Sequence, residues 1–132
     1  SREAQANEVV AEVEQLGGKA VALQLDAGNV AAFPDFAARL QAALARTWQR
    51  DRFDHLVNNA GHGEMAPIAD MSVEAFDKLV DVHFKGVFFL TQHLLPLLAD
   101  GGRIVNLSSG LTRASAPGWA AYAAAKGAAA SP

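Results

Sequence analysis

The 132 residues include no cysteine, which excludes disulfides and thiolate chemistry. No apolar run approaches the roughly 20 residues that a membrane span needs, and the first residues carry no signal-peptide pattern. These absences fit a cytoplasmic enzyme with no membrane partner. Charge of one sign is not concentrated anywhere. The 11 basic and 14 acidic side chains are mixed along the chain for a net charge of −3, so there is no basic stripe to bind nucleic acid. The four histidines, His55, His62, His83 and His93, show no metal-ligand spacing, and no metal site is expected. Nor does any apolar strand lead into a glycine-rich turn of the kind that cradles phosphate against a helix N-terminus.

What is present is enough apolar material for one core, 51% of the residues, laid out in alternating helical and extended patterns. Ala6, Val9, Val10, Val13 and Leu16 recur at helical spacing over residues 2–16, and Gly17 and Gly18 then stop the helix. Residues 19–25 alternate as a buried strand with Asp26 at its carboxyl end, where open α/β sheets bind ligands. Asp26 suits a turn or helix cap as well as a ligand contact. A second helix is expected from near Phe33, with Pro34 in its first turn, through Leu40 and Leu44 to Trp48. Residues 53–58 form the next strand and end in Asn58, Asn59, Ala60 and Gly61. Small residues there admit a close backbone approach, and the Asn side chains can tie neighbouring strand ends together. His62, Gly63, Glu64 and Met65 begin a polar loop expected to edge a substrate pocket.

From Ser72, an N-cap, one long helix is expected over residues 72–99, apolar on two sides, with Gly86 and Pro96 as points of bending. The second side carries Phe84, Phe88 and Leu95, and a helix apolar on two sides needs two partners, the sheet and a second subunit. Residues 103–108 form a third strand, followed by a loop in which Leu111, Thr112 and Arg113 shape the substrate site.

The last helix carries the chemistry. In the Ala-rich run from Gly118 to Gly127, Tyr122 and Lys126 are four residues apart and so share one helical face, about 5–6 Å apart at Cβ. A free tyrosine titrates near 10. To exchange protons near neutrality its anion needs about 4 kcal/mol of stabilisation, of the kind a nearby ammonium supplies. Ser109, thirteen positions earlier, follows directly on the third strand, where a hydroxyl can return beside the phenol to donate to a substrate oxygen. A Tyr and Lys at this spacing are common on Ala-rich helices; the residues around them make the case.

Tyr122 to Lys126 fit the motif Y-x-x-x-K, Ser109 the active-site serine, Asn58 to Gly61 the motif N-N-A-G, and Asp26 the adenine-side aspartate of one family. In these residues, in their order and spacing, the chain resembles the short-chain dehydrogenase/reductases, classical type. The resemblance implies an α/β fold, a Rossmann-like doubly wound parallel sheet in three layers, here incomplete, with residues 1–132 as a single partial domain. The family's glycine-rich turn T-G-x-x-x-G-I-G and its first two strands have no counterpart here. The chain also stops in mid-pattern at Ala128 to Pro132. A parent about twice as long is therefore expected, in which the strands ending at Asp26, Asn58 and Ser108 would be third, fourth and fifth in the order 3-2-1-4-5-6.

The resemblance further implies an oxidoreductase that interconverts a secondary alcohol and a ketone, a small-molecule substrate, with NADP or NAD as cofactor. Ser109 would orient the substrate oxygen, Tyr122 would move the proton, and Lys126 would hold the nicotinamide ribose. Asp26, Ala27, Asn59, Ala60 and Gly61 join Tyr122 and Lys126 in contacting the cofactor. Ser1 and Arg2, just after the missing second strand, lean the expectation towards NADP, because an arginine fork suits a 2′-phosphate. A homo-oligomer, dimer or tetramer, is expected through the helix at 72–99 and the tyrosine helix. The family pattern departs at His83, where an asparagine whose backbone carbonyl holds a relay water is usual. Either a titratable substitute or a histidine packed in the helix seam fits, and the packed one is preferred. Two other readings remain open: a truncated, inactive member serving as a structural or assembly module, and a nucleotide-binding regulator without hydride transfer.

Overall fold

The computed structural model describes residues 2–130. Helix α1 spans Arg2–Gln15, α2 Phe33–Trp48, strand β1 Phe53–Asn58 and helix α3 Val73–Val80. A π-helical turn, Asp81–Gly86, leads into α4, Val87–Leu94, and then come β2, Leu98–Asn106, and α5, Ala120–Ala130. Ser72 caps α3 as expected, its hydroxyl accepting from the Ala75 N–H at 3.1 Å. Pro34 lies in the first turn of α2, where its missing N–H costs nothing.

β1 and β2 are parallel neighbours, the adjacency expected for the strands ending at Asn58 and Ser108. Regular pairing runs from His55 opposite Arg103 to Asn58 opposite Asn106. β2 begins earlier than the expected 103, because Leu98 also pairs with Phe53; the residues between bulge out, with Gly101 at φ +78 making the turn. Phe33, Leu90 and Leu94 form the buried centre, and Leu25, Phe36, Leu40, Phe53 and Leu56 pack around it. The core thus joins α2, α4 and β1.

Two expectations are corrected. Residues 19–25 form no paired strand: a ladder needs a neighbour, and in the doubly wound order that neighbour is neither β1 nor β2. The segment is held along α2 instead, through Arg39 donating to the Gln24 carbonyl at 3.0 Å and Leu25 entering the core. The helix expected over 72–99 is continuous over 73–97 but is not regular α throughout, and it stops short of 99. The π turn inserts an extra residue after Val80, the helix ends in a 3₁₀ turn at Leu95–Leu97 holding Pro96, and the chain is already extended at Leu98.

Much apolar surface has no partner among the described residues. The chain exposes 8724 Å², against about 6,700 Å² for a compact monomer of its size. Helix α1 buries none of its residues, and Val57 and Val105 on the strands are about half exposed.

Gly86 is the tightest point of the fold. A Cβ there would lie 2.1 Å from the Ala27 carbonyl oxygen, whereas a Cβ on Gly127 would meet nothing within 4 Å. In the protein that carries this sequence, Gly86→Ala is expected to cost about 2 kcal/mol or more, because the obstacle is backbone. Gly127→Ala should be neutral or stabilising by about 0.5–1 kcal/mol. Denaturant unfolding of the two variants checks the pair, and equal effects would sink this account of the packing.

Candidate active site

The site is gathered where β1, β2 and α5 meet. Asn58, the last residue of β1, is buried, and its amide nitrogen donates to the Asn106 side-chain oxygen at 2.8 Å and to the Thr91 hydroxyl at 3.2 Å. The Leu107 N–H donates to the Asn58 carbonyl at 3.0 Å, which carries the pairing one step past the ladder. Asn58 therefore ties the two strand ends to each other and to α4. Asn59, Ala60 and Gly61 follow it as exposed backbone.

Two bonds fasten α5 to the end of β2. The Lys126 ammonium donates to the Leu107 carbonyl at 2.9 Å, and the Ser108 hydroxyl donates to the Lys126 carbonyl at 3.3 Å. Lys126 is buried, and that burial lowers its pKa from the ordinary lysine value. Only one of the three ammonium donors is used by the Leu107 carbonyl, so the others can serve a ligand. Ser109 follows directly, half-buried, and its oxygen accepts from the Leu111 N–H at 3.2 Å, which leaves the hydroxyl proton free to be donated. The turn at Gly110–Thr112 packs on α5. Among the described residues, no hydrogen bond joins the Ser109, Tyr122 and Lys126 side chains directly.

Tyr122 is half-buried between two rings. Trp119 meets it edge-on at 5.3 Å, and His83 does so from another element, also at 5.3 Å and with planes 84° apart. His83 is 1% exposed, which agrees with the packed reading of this residue, and its Nε2 lies 2.7 Å from the His62 carbonyl oxygen. Its Nδ1 is buried without a hydrogen-bond partner. The ring stacks on His62 at 5.4 Å and closes on Gly61, where a Cβ would sit 2.6 Å from its Cε1. Burial pushes the His83 pKa below the ordinary histidine value; the His62 carbonyl opposes this, and the Lys126 charge adds to it.

Asp26 and Ala27 stand on the other side of the π turn. The Asp26 carboxylate accepts from the Gly28 N–H at 2.9 Å, so Asp26 has the turn role the sequence allowed, and Ala27 packs on Gly86. Arg2 is exposed at the start of α1, and Ser1 lies outside the described residues. The described residues contain no group of three metal-ligating side chains and no helix long and apolar enough to cross a membrane.

Two contributors went unnoticed in the sequence. Trp119 lies three residues before Tyr122, a spacing that could have paired them. Thr91 carries no such signal, because only the fold brings it to Asn58.

A parallel pair of strands with the Tyr122–Lys126 helix fastened to the end of β2 places the chain in the α/β class with a Rossmann-like, incomplete sheet. The chain belongs to the short-chain dehydrogenase family, whose model matches residues 1–131. A cyclopentanol dehydrogenase of a Comamonas species is 38% identical over 124 residues, 92% of this chain and 47% of the relative. A tetrahydroxynaphthalene reductase of Pestalotiopsis fici is 35% identical, over 93% of this chain and 43% of its own length. Among solved structures, an angucycline C-6 ketoreductase with bound NADP superposes with TM-score 0.88 at 35% identity, covering 93% of this chain and 48% of that one. A promiscuous reductase of lugdunomycin biosynthesis reaches TM-score 0.91 at 35% identity, over 98% and 57%. The chain spans about half the length of the relatives it matches.

The buried His83 makes stability pH-dependent in a stated direction. Above about pH 6.5 neither the folded nor the unfolded form carries its proton; below that the unfolded chain binds a proton that the folded one refuses. Stability then falls with falling pH, by up to about 1.4 kcal/mol per unit, until the folded pKa is reached. Comparing unfolding midpoints of the wild type and His83→Asn between about pH 7.5 and 5 isolates this contribution, since the other histidines are common to both. The variant should show the shallower slope, and identical slopes would contradict it.

Proposed function

We propose that the protein carrying this sequence is an NAD(P)-dependent oxidoreductase that interconverts a secondary alcohol and a ketone. The observation that carries the reading is Lys126, buried and fastened to the end of β2 one helical turn after Tyr122, with Ser109 next to the fastening. In reduction, the Ser109 hydroxyl donates to the substrate carbonyl oxygen and orients it. Tyr122 gives its phenolic proton to that oxygen as the carbonyl π bond breaks, and in oxidation it takes the proton back. When bound, the nicotinamide supplies or accepts the hydride at the carbinol carbon. Lys126 holds positive charge behind the phenol and offers its remaining donors to ribose hydroxyls.

The residues fit such a cofactor: exposed Asn59, Ala60 and Gly61 follow Asn58, whose carbonyl accepts from Leu107, the residue that holds the lysine, and the Asp26–Ala27 turn lies across the π turn for the adenine side. NADP is favoured over NAD, a preference supported by the NADP bound to the angucycline ketoreductase. The substrate is a small carbonyl or alcohol compound; a related landomycin ketoreductase was solved with rabelomycin.

The same reading takes the protein to be a homo-oligomer through α3, α4 and α5. Phe84 and Phe88 are about half exposed, and an apolar hollow of about 400 Å³ lies between Ile68, Val73 and Phe76 on one side and Ala120 and Ala124 on the other. Apolar surface of this kind on adjacent helices is suited to a second copy.

Tyr122→Phe is expected to lower kcat by about 10²–10⁴-fold while NADPH affinity, followed by fluorescence titration, stays within about twofold. Substantial turnover in that variant would falsify the tyrosine's role. Absence of both NADPH binding and turnover in the wild type would favour an assembly module. Phe88→Asp should shift the protein to a monomer in light scattering behind size exclusion, and an unchanged mass would remove α4 from the interface.

A further inference from the structure

We infer that His83 is a positioning residue that locks the ring of Tyr122 to the loop beginning at His62, so that the proton donor and the substrate-side loop move as one unit. This rests on Tyr122 being the proton donor.

The hydrogen-bond pattern fixes the state of the ring. A carbonyl oxygen only accepts, so the 2.7 Å approach of His83 Nε2 to the His62 carbonyl requires a proton on Nε2. The His62 N–H, 3.4 Å from the same nitrogen, cannot then donate to it, and the shorter contact decides. Nδ1 is buried with no partner of either kind, and burial beside the Lys126 charge disfavours a second proton on the ring. His83 is therefore the neutral Nε2–H tautomer, and its orientation is set by one bond and three walls.

Those walls are the parts of the site that must be aligned. Gly61 closes on one edge, His62 stacks on one face, and Tyr122 meets the ring edge-on. The same loop touches the tyrosine helix again further along. Gly63 packs on Trp119, Met65 packs on Gly118, and the Ala66 N–H donates to the Gly118 carbonyl at 3.0 Å. Trp119 in turn meets Tyr122. Tyr122 is thus clamped by two rings, both of which rest on the 61–66 loop. His83 supplies the only one of these clamps that comes from another helix, because the π turn aims it there. A side chain without the Nε2 proton would leave the His62 carbonyl without this donor, and one of another shape would not present the same edge to Tyr122.

The test uses His83→Leu and His83→Gln in the protein that carries this sequence, with kcat, KM for a ketone substrate and NADPH affinity measured for each. His83→Leu should lower kcat about tenfold or more and leave NADPH affinity within about twofold; His83→Gln, which restores an N–H donor, should recover part of the loss. Wild-type kcat in His83→Leu alongside an inactive Tyr122→Phe would overturn the inference and spare the tyrosine's role. An active Tyr122→Phe would instead overturn the reading on which it rests. If neither His83 variant folds, ¹⁵N chemical shifts of the wild-type imidazole near pH 7.5 decide the matter: the neutral Nε2–H form supports the lock, and the Nδ1–H form or the imidazolium overturns it.

Discussion

The structure depends on the fit of one irregular turn between two pieces of backbone. At Asp81–Gly86 the helix takes up an extra residue, and the turn presses outward on both sides. On one side Gly86 meets the Ala27 carbonyl with no room for a side chain; on the other His83 fills the space under Gly61 and Tyr122. The turn therefore sets the spacing between the Asp26–Ala27 corner and the tyrosine, which are the two ends of the cofactor track in the proposed reading.

The second constraint is charge. Lys126 lies in the interior, and the partner its ammonium finds there is a carbonyl rather than a carboxylate. An isolated ammonium in such a place gains from every oriented dipole and loses from every like charge. A neutral imidazole at position 83 is consistent with that, since a second cation there would oppose the first. Among the described residues the ion pairs lie elsewhere, on the surface, as in Asp81 with Lys85 and Glu74 with Lys78, where solvent makes each worth little. The electrostatics of the site thus come from burial and backbone dipoles.

How much the sequence disclosed differs by element. Local chemistry was legible: the Ser72 cap, the Pro34 start, the stop at Gly17 and Gly18, and the common face of Tyr122 and Lys126 all follow from the residues themselves. The expected role of Asn58 in tying strand ends was legible too, although its partners Asn106 and Thr91 were not, because neither is near it in the chain. Residues 19–25 have a strand's alternation but pair with nothing, since a ladder is a property of two segments and alternation a property of one. The π turn after Val80 was invisible for a related reason. Apolar spacing cannot distinguish a π turn from a continued helix when both leave the same residues inward on average.

By itself, then, the sequence determined the helical and extended segments, the small residues at the strand end, and a serine, tyrosine and lysine at the spacing of the short-chain dehydrogenase family. Those properties depend on neighbours within a few residues, where propensity, capping and helical period act. Only the tertiary structure decided that Lys126 would be buried against Leu107, that His83 would be buried against the His62 carbonyl, and that the tyrosine would be held between rings from two elements. Burial and hydrogen-bond partnership are set by groups distant in sequence, and they fix protonation and orientation, which residue identity leaves open.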